Sequence, residues 1–148
     1  AVTTRLGFGK TDVIQMLNGC IGGLVAITAE PLMPSPLASI LIGAVGGVIV
    51  VYGTKLLFSL KIDDVVGAIP AHLFAGIWGT LAVPITNSGA SFGTQLLGVV
   101  SINAFVFIVS FIVWFLMKST FGIRLSKEGE TKGTDVTETG VIAYAIRD

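Results

Sequence analysis

The sequence predicts an all-α, polytopic membrane helical bundle, and three observations support that fold class. Hydrophobic residues make up 53% of the 148 residues and charged residues only 12%, and the mean hydropathy is +0.89. A soluble domain of this length needs a more polar surface. The third observation is a run of 53 residues, 65–117, without Asp, Glu, Lys or Arg. The apolar segments do not alternate polar and apolar residues, so helices are predicted rather than barrel strands.

Four segments are apolar and long enough to be membrane helices, because a hydrocarbon core of about 30 Å needs roughly 20 helical residues. The predicted crossings are residues 12–29, 37–60, 64–83 and 92–117. At about 1.5 Å per residue the fourth could extend about 39 Å, so it is expected to tilt or to project from the bilayer. We therefore expect a transmembrane domain at 1–117 and a water-exposed tail at 118–148, where ten of the eighteen charged residues lie.

The positions of the basic residues predict the orientation. With four crossings, both chain ends and the link near residue 61 lie on one side of the membrane. All nine Lys and Arg residues fall on that side, whereas the opposite links, 30–36 and 84–91, carry none. Under the positive-inside rule that side is cytoplasmic, which predicts a multi-pass protein of the cell membrane with both ends in the cytoplasm. The net charge of zero gives no support to nucleic-acid binding.

Helix starts are marked by residues that can cap them. Ser35 followed by Pro36 predicts a cap and first-turn pair for the second crossing. Asp63 and Asp64 are interpreted as caps of the third, because carboxylates accept the unpaired amide hydrogens at a helix start and complement the helix dipole. The alternative for these two acids is a direct role in ion handling.

The glycine pattern predicts close helix packing. The chain has 19 glycines, and most lie within the predicted helices. Gly19 with Gly23, and Gly43 with Gly47, have the four-residue spacing that lets membrane helices approach closely. Trp78, on the opposite side of the third predicted helix from its histidine, is interpreted as a packing residue.

His72 is the only histidine and lies inside the uncharged run. When 64–83 is plotted at 100° per residue, His72 falls on a face of small residues that includes Ala68 and Gly79. This face is either a tight helix contact or the wall of a narrow cavity. His72 lies about 12 Å from the start of the predicted helix, which places it near the membrane midplane, and Pro70 is expected to bend the helix there.

The chemistry of an imidazole at this depth favours a transport function. A charged side chain inside a membrane is costly, so His72 is expected to be neutral. A neutral imidazole has one donor and one acceptor nitrogen, with which it can hold a small polar solute or relay a proton. The alternative is a structural histidine that is hydrogen-bonded to a neighbouring helix.

Nothing in the sequence favours an enzyme, a cofactor or a metal site. Cys20 is the single cysteine, which excludes an intramolecular disulfide and a multi-cysteine metal site. The chain has no zinc-binding histidine pair. Asp64 and His72 lie too far apart along one helix for the hydrogen bond of about 3 Å that a catalytic pair needs.

Three motifs resemble the ammonium transporter family, the Amt/Rh proteins, and the resemblance covers essentially the whole chain. They are LNGCIGGLVAITA at 17–29, DDVVGAIPAHLFAGIWGTLAV at 63–83 and GTDVTETGVIAY at 133–144. The second is highly specific, with two acids eight and nine residues before a histidine. The third departs from the family, which usually has His-Gly-Glu where this chain has Thr139, Gly140 and Val141.

The resemblance implies an eleven-helix protomer in a homotrimer, with one narrow hydrophobic pore in each protomer. The four predicted helices are similar to the eighth to eleventh of that fold, so roughly the first seven are not in this chain. His72 matches the second of two pore histidines, which help ammonium to give up or shuttle its proton as ammonia passes. Ala68 is expected to face the same pore, and Asp63 and Asp64 to lie at its cytoplasmic end. The implied substrates are ammonium, ammonia and methylammonium.

The resemblance also implies a regulatory tail. Its residues here are Gly133, Asp135, Gly140 and Tyr144. Such a tail docks beneath the pore and meets a PII-type nitrogen regulator. The alternative function is an ammonium sensor of the same fold that is coupled to a signalling partner.

Overall fold

A computed structural model describes residues 1–142 of the chain, and every regular element in that range is helical, which confirms the all-α prediction. The α-helices are α1 Val2–Phe8, α2 Val13–Thr28, α3 Pro36–Ser59, α4 Ala75–Thr86, α5 Phe92–Thr120 and α6 Lys127–Lys132. Two π-helical segments are Ile69–Phe74 and Asp135–Thr139. The chain divides into two compact units, Ala1–Ile102 and a second that begins at Asn103. Tyr144 of the predicted tail lies outside the described residues.

Three helical stretches of the described chain are long and apolar enough to cross a membrane: Pro36–Ser59, Ile69–Thr86 and Phe92–Thr120. They correspond to the second, third and fourth predicted crossings. The first prediction, 12–29, is realised as the 16-residue apolar helix α2, which is about 24 Å long and therefore shorter than a hydrocarbon core. The sequence thus identified four apolar helices, of which three reach full spanning length.

The helix starts are capped by side chains. The Ser35 hydroxyl accepts a hydrogen bond from the amide of Ala38 at 3.3 Å, and Pro36 occupies the first turn of α3, which confirms the predicted pair. Asp12 caps α2 in the same way, because its carboxylate accepts from the amide of Gln15 at 3.0 Å. These bonds satisfy amide groups that the first helical turn leaves unpaired.

The predicted glycine contacts join α2 to α3. A Cβ atom on Gly23 would lie 3.0 Å from the carbonyl oxygen of Gly43, and one on Gly47 would lie 3.2 Å from that of Gly19. Helices α2 and α3 are antiparallel, so Gly19 lies opposite Gly47 and Gly23 lies opposite Gly43. The two helix backbones are therefore in contact over about one turn. Without side chains between them, the helices gain dispersion contacts that a Cβ would prevent.

Helix α2 also packs against α4, and this contact is closer still. A Cβ on Gly79 would lie only 2.2 Å from the carbonyl oxygen of Ala26. Ala26 and Ala82 are buried together in the small core of this unit. Trp78 packs against the same core and donates its indole hydrogen to the carbonyl oxygen of Ile42 at 3.0 Å, as expected of a packing residue. The histidine-bearing segment is therefore fixed to both α2 and α3.

Helix α5 is the longest element, with 29 residues, and none of them is buried. At about 1.5 Å per residue it is about 43 Å long, which exceeds the hydrocarbon core as predicted. Phe107, Phe111 and Phe115 stack in succession, with ring centroids 6.3 and 6.2 Å apart. This spacing of four residues puts the three rings on one face of the helix.

Candidate functional site

The segment that carries His72 begins later than the sequence predicted. We call Ile69–Thr86, which comprises the first π-helical segment and α4, the histidine helix. The predicted start at residue 64 is wrong by five residues, because 65–67 form a turn and Gly67 has a left-handed φ of 74°. His72 therefore lies in the first turn of its helix and not halfway along it. The 12 Å depth that was based on a start at residue 64 no longer holds.

Asp64 ties this turn to the helix that follows. One carboxylate oxygen accepts from the amide of Ala68 and the other from that of Ile69, both at 2.9 Å. A carboxylate that pairs with two amides at a helix start also complements the helix dipole. The neighbouring Asp63 is exposed and makes no hydrogen bond within residues 1–142. The two acids are thus unlike in role, and only Asp64 has the geometry of a cap.

The start of the histidine helix packs closely against Gly53 of α3. A Cβ on Gly53 would lie 2.6 Å from a ring carbon of Phe74 and 3.0 Å from the Cβ of Pro70. Pro70 is fully buried, and its ring leaves that turn without one amide donor. Because residues 70 and 74 point toward α3, residue 72 between them must point away from it.

His72 is exposed, whereas Ala71 and Ala75 on either side of it are buried. The predicted projection put His72 on the same face as Gly79, but Gly79 is buried against α2. The projection assumed 100° per residue throughout. A π-helical turn has more residues per turn, so it rotates His72 away from the face that α4 presents to α2. The part of the small-residue face that includes Gly79 is therefore a helix contact, and His72 does not belong to it.

A cavity of about 470 Å³ lies at the end of this unit where the predicted caps are found. Its polar lining consists of Asp12, Gln15, Asn18, Thr54, Lys61, Asp63 and Asp64. Ala68 is exposed next to this turn but does not line the cavity, and neither does His72. The structure thus brings together the two acids of the sequence motif and the polar face of α2, and leaves His72 on a separate exposed surface.

Two residues that position this region escaped the sequence interpretation. Asn18 donates from its amide nitrogen to the carbonyl oxygen of Val66 at 2.8 Å. Gly53 has no side chain and so allows the π-helical turn to pack directly against α3. Asn18 stands at the beginning of the first motif, and with Gln15 it is one of the few polar side chains of α2. Polar side chains at this end of an apolar helix were the available signal.

In the second unit, the predicted tail residues form turns. Gly133 and Gly140 both have positive φ, of 103° and 69°, which a side chain would disfavour. Asp135 begins the second π-helical segment, and its carbonyl oxygen accepts from the amide of Val141 at 3.3 Å. These three predicted residues thus shape one short stretch of backbone.

An ion pair precedes that stretch. The Arg124 guanidinium donates to both carboxylate oxygens of Glu130, at 2.6 and 3.2 Å. This hydrogen bond lowers the pKa of the Glu130 carboxyl below its usual value and raises the pKa of Arg124 above its own. Both side chains are well exposed, so solvent screens the pair and its effect on stability is small.

Within residues 1–142, no cluster of three or more His, Cys, Asp or Glu side chains could hold a metal ion. The chemistry available in the first unit is that of one exposed imidazole, two capping carboxylates, Asp12 and Asp64, and a polar cavity.

Comparison with known proteins identifies the family. The profile of the Ammonium Transporter Family matches residues 1–144. The ammonium transporter Amt2 of Archaeoglobus fulgidus is 36% identical over 95% of this chain and 34% of its own length. The ammonium transporter Amt1 of Haloferax mediterranei is 37% identical over 92% of this chain and 27% of its own length.

A solved structure, the Sensor Amt Protein, superposes with a TM-score of 0.85 at 28% identity, covering 93% of this chain and 37% of that one. The chain spans about a third of the length of the curated relatives it matches. The relatives named here are transporters and a sensor rather than enzymes. With its apolar helices, the chain is part of a multi-pass membrane protein, and it belongs to the ammonium transporter family.

Proposed function

We propose that this chain is the C-terminal part of an ammonium transport protein in which His72 lines a narrow hydrophobic pore. Ammonium gives up its proton at the pore, ammonia passes, and the imidazole of His72 takes part in the transfer of the proton. The observation that carries the proposal is the exposure of His72 on a helix that is otherwise held in the bundle by buried residues such as Ala71 and Ala75. Membership of the ammonium transporter family supports ammonium as the substrate.

The geometry fits this role because the imidazole is free for a solute. The side chain of His72 makes no hydrogen bond within residues 1–142, so both ring nitrogens remain available. No Asp, Glu, Lys or Arg lies between residue 65 and residue 117, so the histidine helix itself contributes no charged side chain beside His72. A neutral imidazole with both ring nitrogens available can bind a small polar molecule.

The remaining assignments form part of the same proposal. The protein assembles as a homotrimer in the cell membrane with both ends of this chain in the cytoplasm, which the placement of all nine Lys and Arg residues supports. Ala68 faces the pore beside His72. Helices α2, α3 and α5 and the histidine helix form the transmembrane domain, which was predicted at 1–117. The tail from 118 onward regulates transport and meets a PII-type regulator through Gly133, Asp135, Gly140 and Tyr144.

Transport by the full-length protein tests the proposal. Methylammonium uptake and ammonium-driven current are measured in proteoliposomes for the wild type, His72→Ala and His72→Gln. Both variants should lose most of the current, because neither side chain accepts a proton near neutral pH. The Gln variant separates a proton role from a structural one, since it retains a hydrogen-bonding group.

Ile85→Ala is the matched control, because Ile85 lies at the far end of the same helix and is 69% exposed. It should keep the rate and the current of the wild type. Unchanged current in His72→Ala would contradict the proposed pore role, and full current in His72→Gln would reduce His72 to a structural hydrogen-bonding residue.

An ammonium sensor is the second candidate, and the high TM-score to the Sensor Amt Protein favours it. A sensor would bind ammonium at the same surface and pass the signal to a partner. The two functions separate in liposomes, where a transporter carries substrate without a signalling partner. A full-length protein that binds ammonium but shows no flux would favour the sensor.

A further inference from the structure

The turn before the histidine helix is held from outside by α2. Asn18 lies on α2, 48 residues from the carbonyl oxygen of Val66 to which it donates at 2.8 Å. Val66 itself is 67% exposed, so this bond, and not burial of the side chain, fixes its backbone.

Gly67 completes the contact. It is buried, its φ is 74°, and a Cβ there would lie 2.4 Å from the amide nitrogen of Asn18. The side chain of Asn18 therefore fills the space that any other residue at position 67 would need. We call the contact of Asn18 with Val66 and Gly67 the Asn18 clamp.

A continuous series of hydrogen bonds leads from the clamp to the residue before His72. The carbonyl oxygen of Gly67 accepts from the amide of Ala71 at 3.2 Å, and the amide of Gly67 donates to the carbonyl oxygen of Asp64, also at 3.2 Å. Asp64 in turn caps the amides at the helix start. The backbone from 64 to 71 is thus one bonded unit, and Asn18 is the side chain that connects this unit to α2.

The first turn of the histidine helix depends on such support. Pro70 provides no amide donor, and the π-helical hydrogen bonding of Ile69–Phe74 is a rare geometry that is often found at functional sites. The contact of Pro70 and Phe74 with Gly53 fixes which side of the π-helical segment faces α3. The residues before that contact, 64–67, are held by the Asp64 cap and by the clamp.

We propose that Asn18 is a positioning residue that sets the direction of the His72 imidazole through Val66 and Gly67. The inference rests on the proposed role of His72 in the pore. When the clamp is lost, the turn rotates, the imidazole leaves its position in the pore, and proton handling changes.

The test uses the full-length protein in proteoliposomes and compares two isosteric changes of amide to carboxylate on one helix. Asn18→Asp removes the donor to Val66, whereas Gln15→Glu retains the oxygen that accepts from Thr54 at 3.3 Å. Both positions line the same cavity, whose charged lining is Asp12, Asp63, Asp64 and Lys61. Gln15→Glu therefore controls for the addition of a negative charge to that cavity.

Uptake and charge moved per methylammonium are measured per mole of folded protein. Asn18→Asp should lower maximal uptake roughly fivefold, the fold-change that corresponds to the net contribution of one hydrogen bond, and should change the ratio of charge to substrate. Gln15→Glu should change neither. A purely structural role would lower the yield of folded protein but leave that ratio at the wild-type value.

Equal behaviour of Asn18→Asp and Gln15→Glu, alongside a defective His72→Ala, would overturn the clamp and leave the pore role intact. Unchanged transport in His72→Ala would overturn both. If Asn18→Asp does not fold, Asn18→Ser takes its place, because its shorter side chain does not reach Val66. The same change in the charge ratio is then expected, and a wild-type ratio would reject the clamp.

Discussion

Substitution of Gly79 by Ala tests the close contact between α2 and α4. The new Cβ would lie 2.2 Å from the carbonyl oxygen of Ala26 and 2.8 Å from two of its backbone carbons. Because ordinary contact begins at 3.4 Å, the two helices must separate by about 1.2 Å. The obstacle is backbone, so no side-chain rotation relieves it.

The size of the effect follows from two opposing terms. Overpacking costs about 1 to 3 kcal/mol, and a rigid backbone obstacle puts Gly79→Ala at the upper end. Ala is better than Gly in a helix by about 1 kcal/mol. We therefore expect Gly79→Ala to destabilise the protein by about 2 kcal/mol.

Gly76→Ala is the matched control, three residues earlier on the same helix. Its Cβ would lie 3.7 Å from a methyl carbon of Val25, which is ordinary contact. This variant should be as stable as the wild type or slightly more so. Thermal unfolding of the full-length protein in detergent, followed by tryptophan fluorescence, compares the two, and equal melting temperatures would refute the packing described for α2 and α4.

Further predictions concern the helix start and the tail. Asp64→Ala should destabilise the protein by about 1 kcal/mol through loss of the cap, whereas Asp63→Ala should leave the melting temperature unchanged; equal effects would contradict the assignment of the cap to Asp64. The lowered pKa of Glu130 means that its small contribution to tail stability is present above the usual carboxyl pKa and is lost as the pH falls through the depressed value. Proteolysis of the tail should therefore increase at acid pH in the wild type, and Glu130→Gln should abolish that part of the pH dependence; identical pH profiles would contradict the role of the Arg124 pair.

Local signals in the sequence predicted the helices and their packing well. Ser35 and Pro36 marked the start of α3, and the glycine spacing on α2 and α3 matched the observed contacts. These features depend on residues that are near neighbours in the chain. Periodicity and capping chemistry therefore suffice to find them.

The start of the histidine helix was not predictable in the same way. A carboxylate cap ordinarily bonds the amide two or three residues on, whereas Asp64 reaches the amides four and five residues on. The left-handed Gly67 and the π-helical turn allow this longer reach. Both depend on Asn18 and Gly53, which lie on other helices, and a single-helix projection contains no information about them.

The π-helical turn also explains why the His72 side chain points in a different direction from the one predicted. The projection correctly found the small-residue face of α4, because Gly79 does pack against α2. It placed His72 on that face only because it assumed a uniform α-helix. Even one π-helical turn between residues 69 and 74 is enough to rotate His72 away from the face that carries Gly79.

The central claim is that the exposed His72 faces a pore, and a cryo-EM structure of the full-length protein tests it most directly. We expect the imidazole to border a continuous narrow channel, with at least one ring nitrogen not bonded to protein. A His72 ring that is packed against another helix with both nitrogens hydrogen-bonded to it, or that faces lipid, would contradict the account.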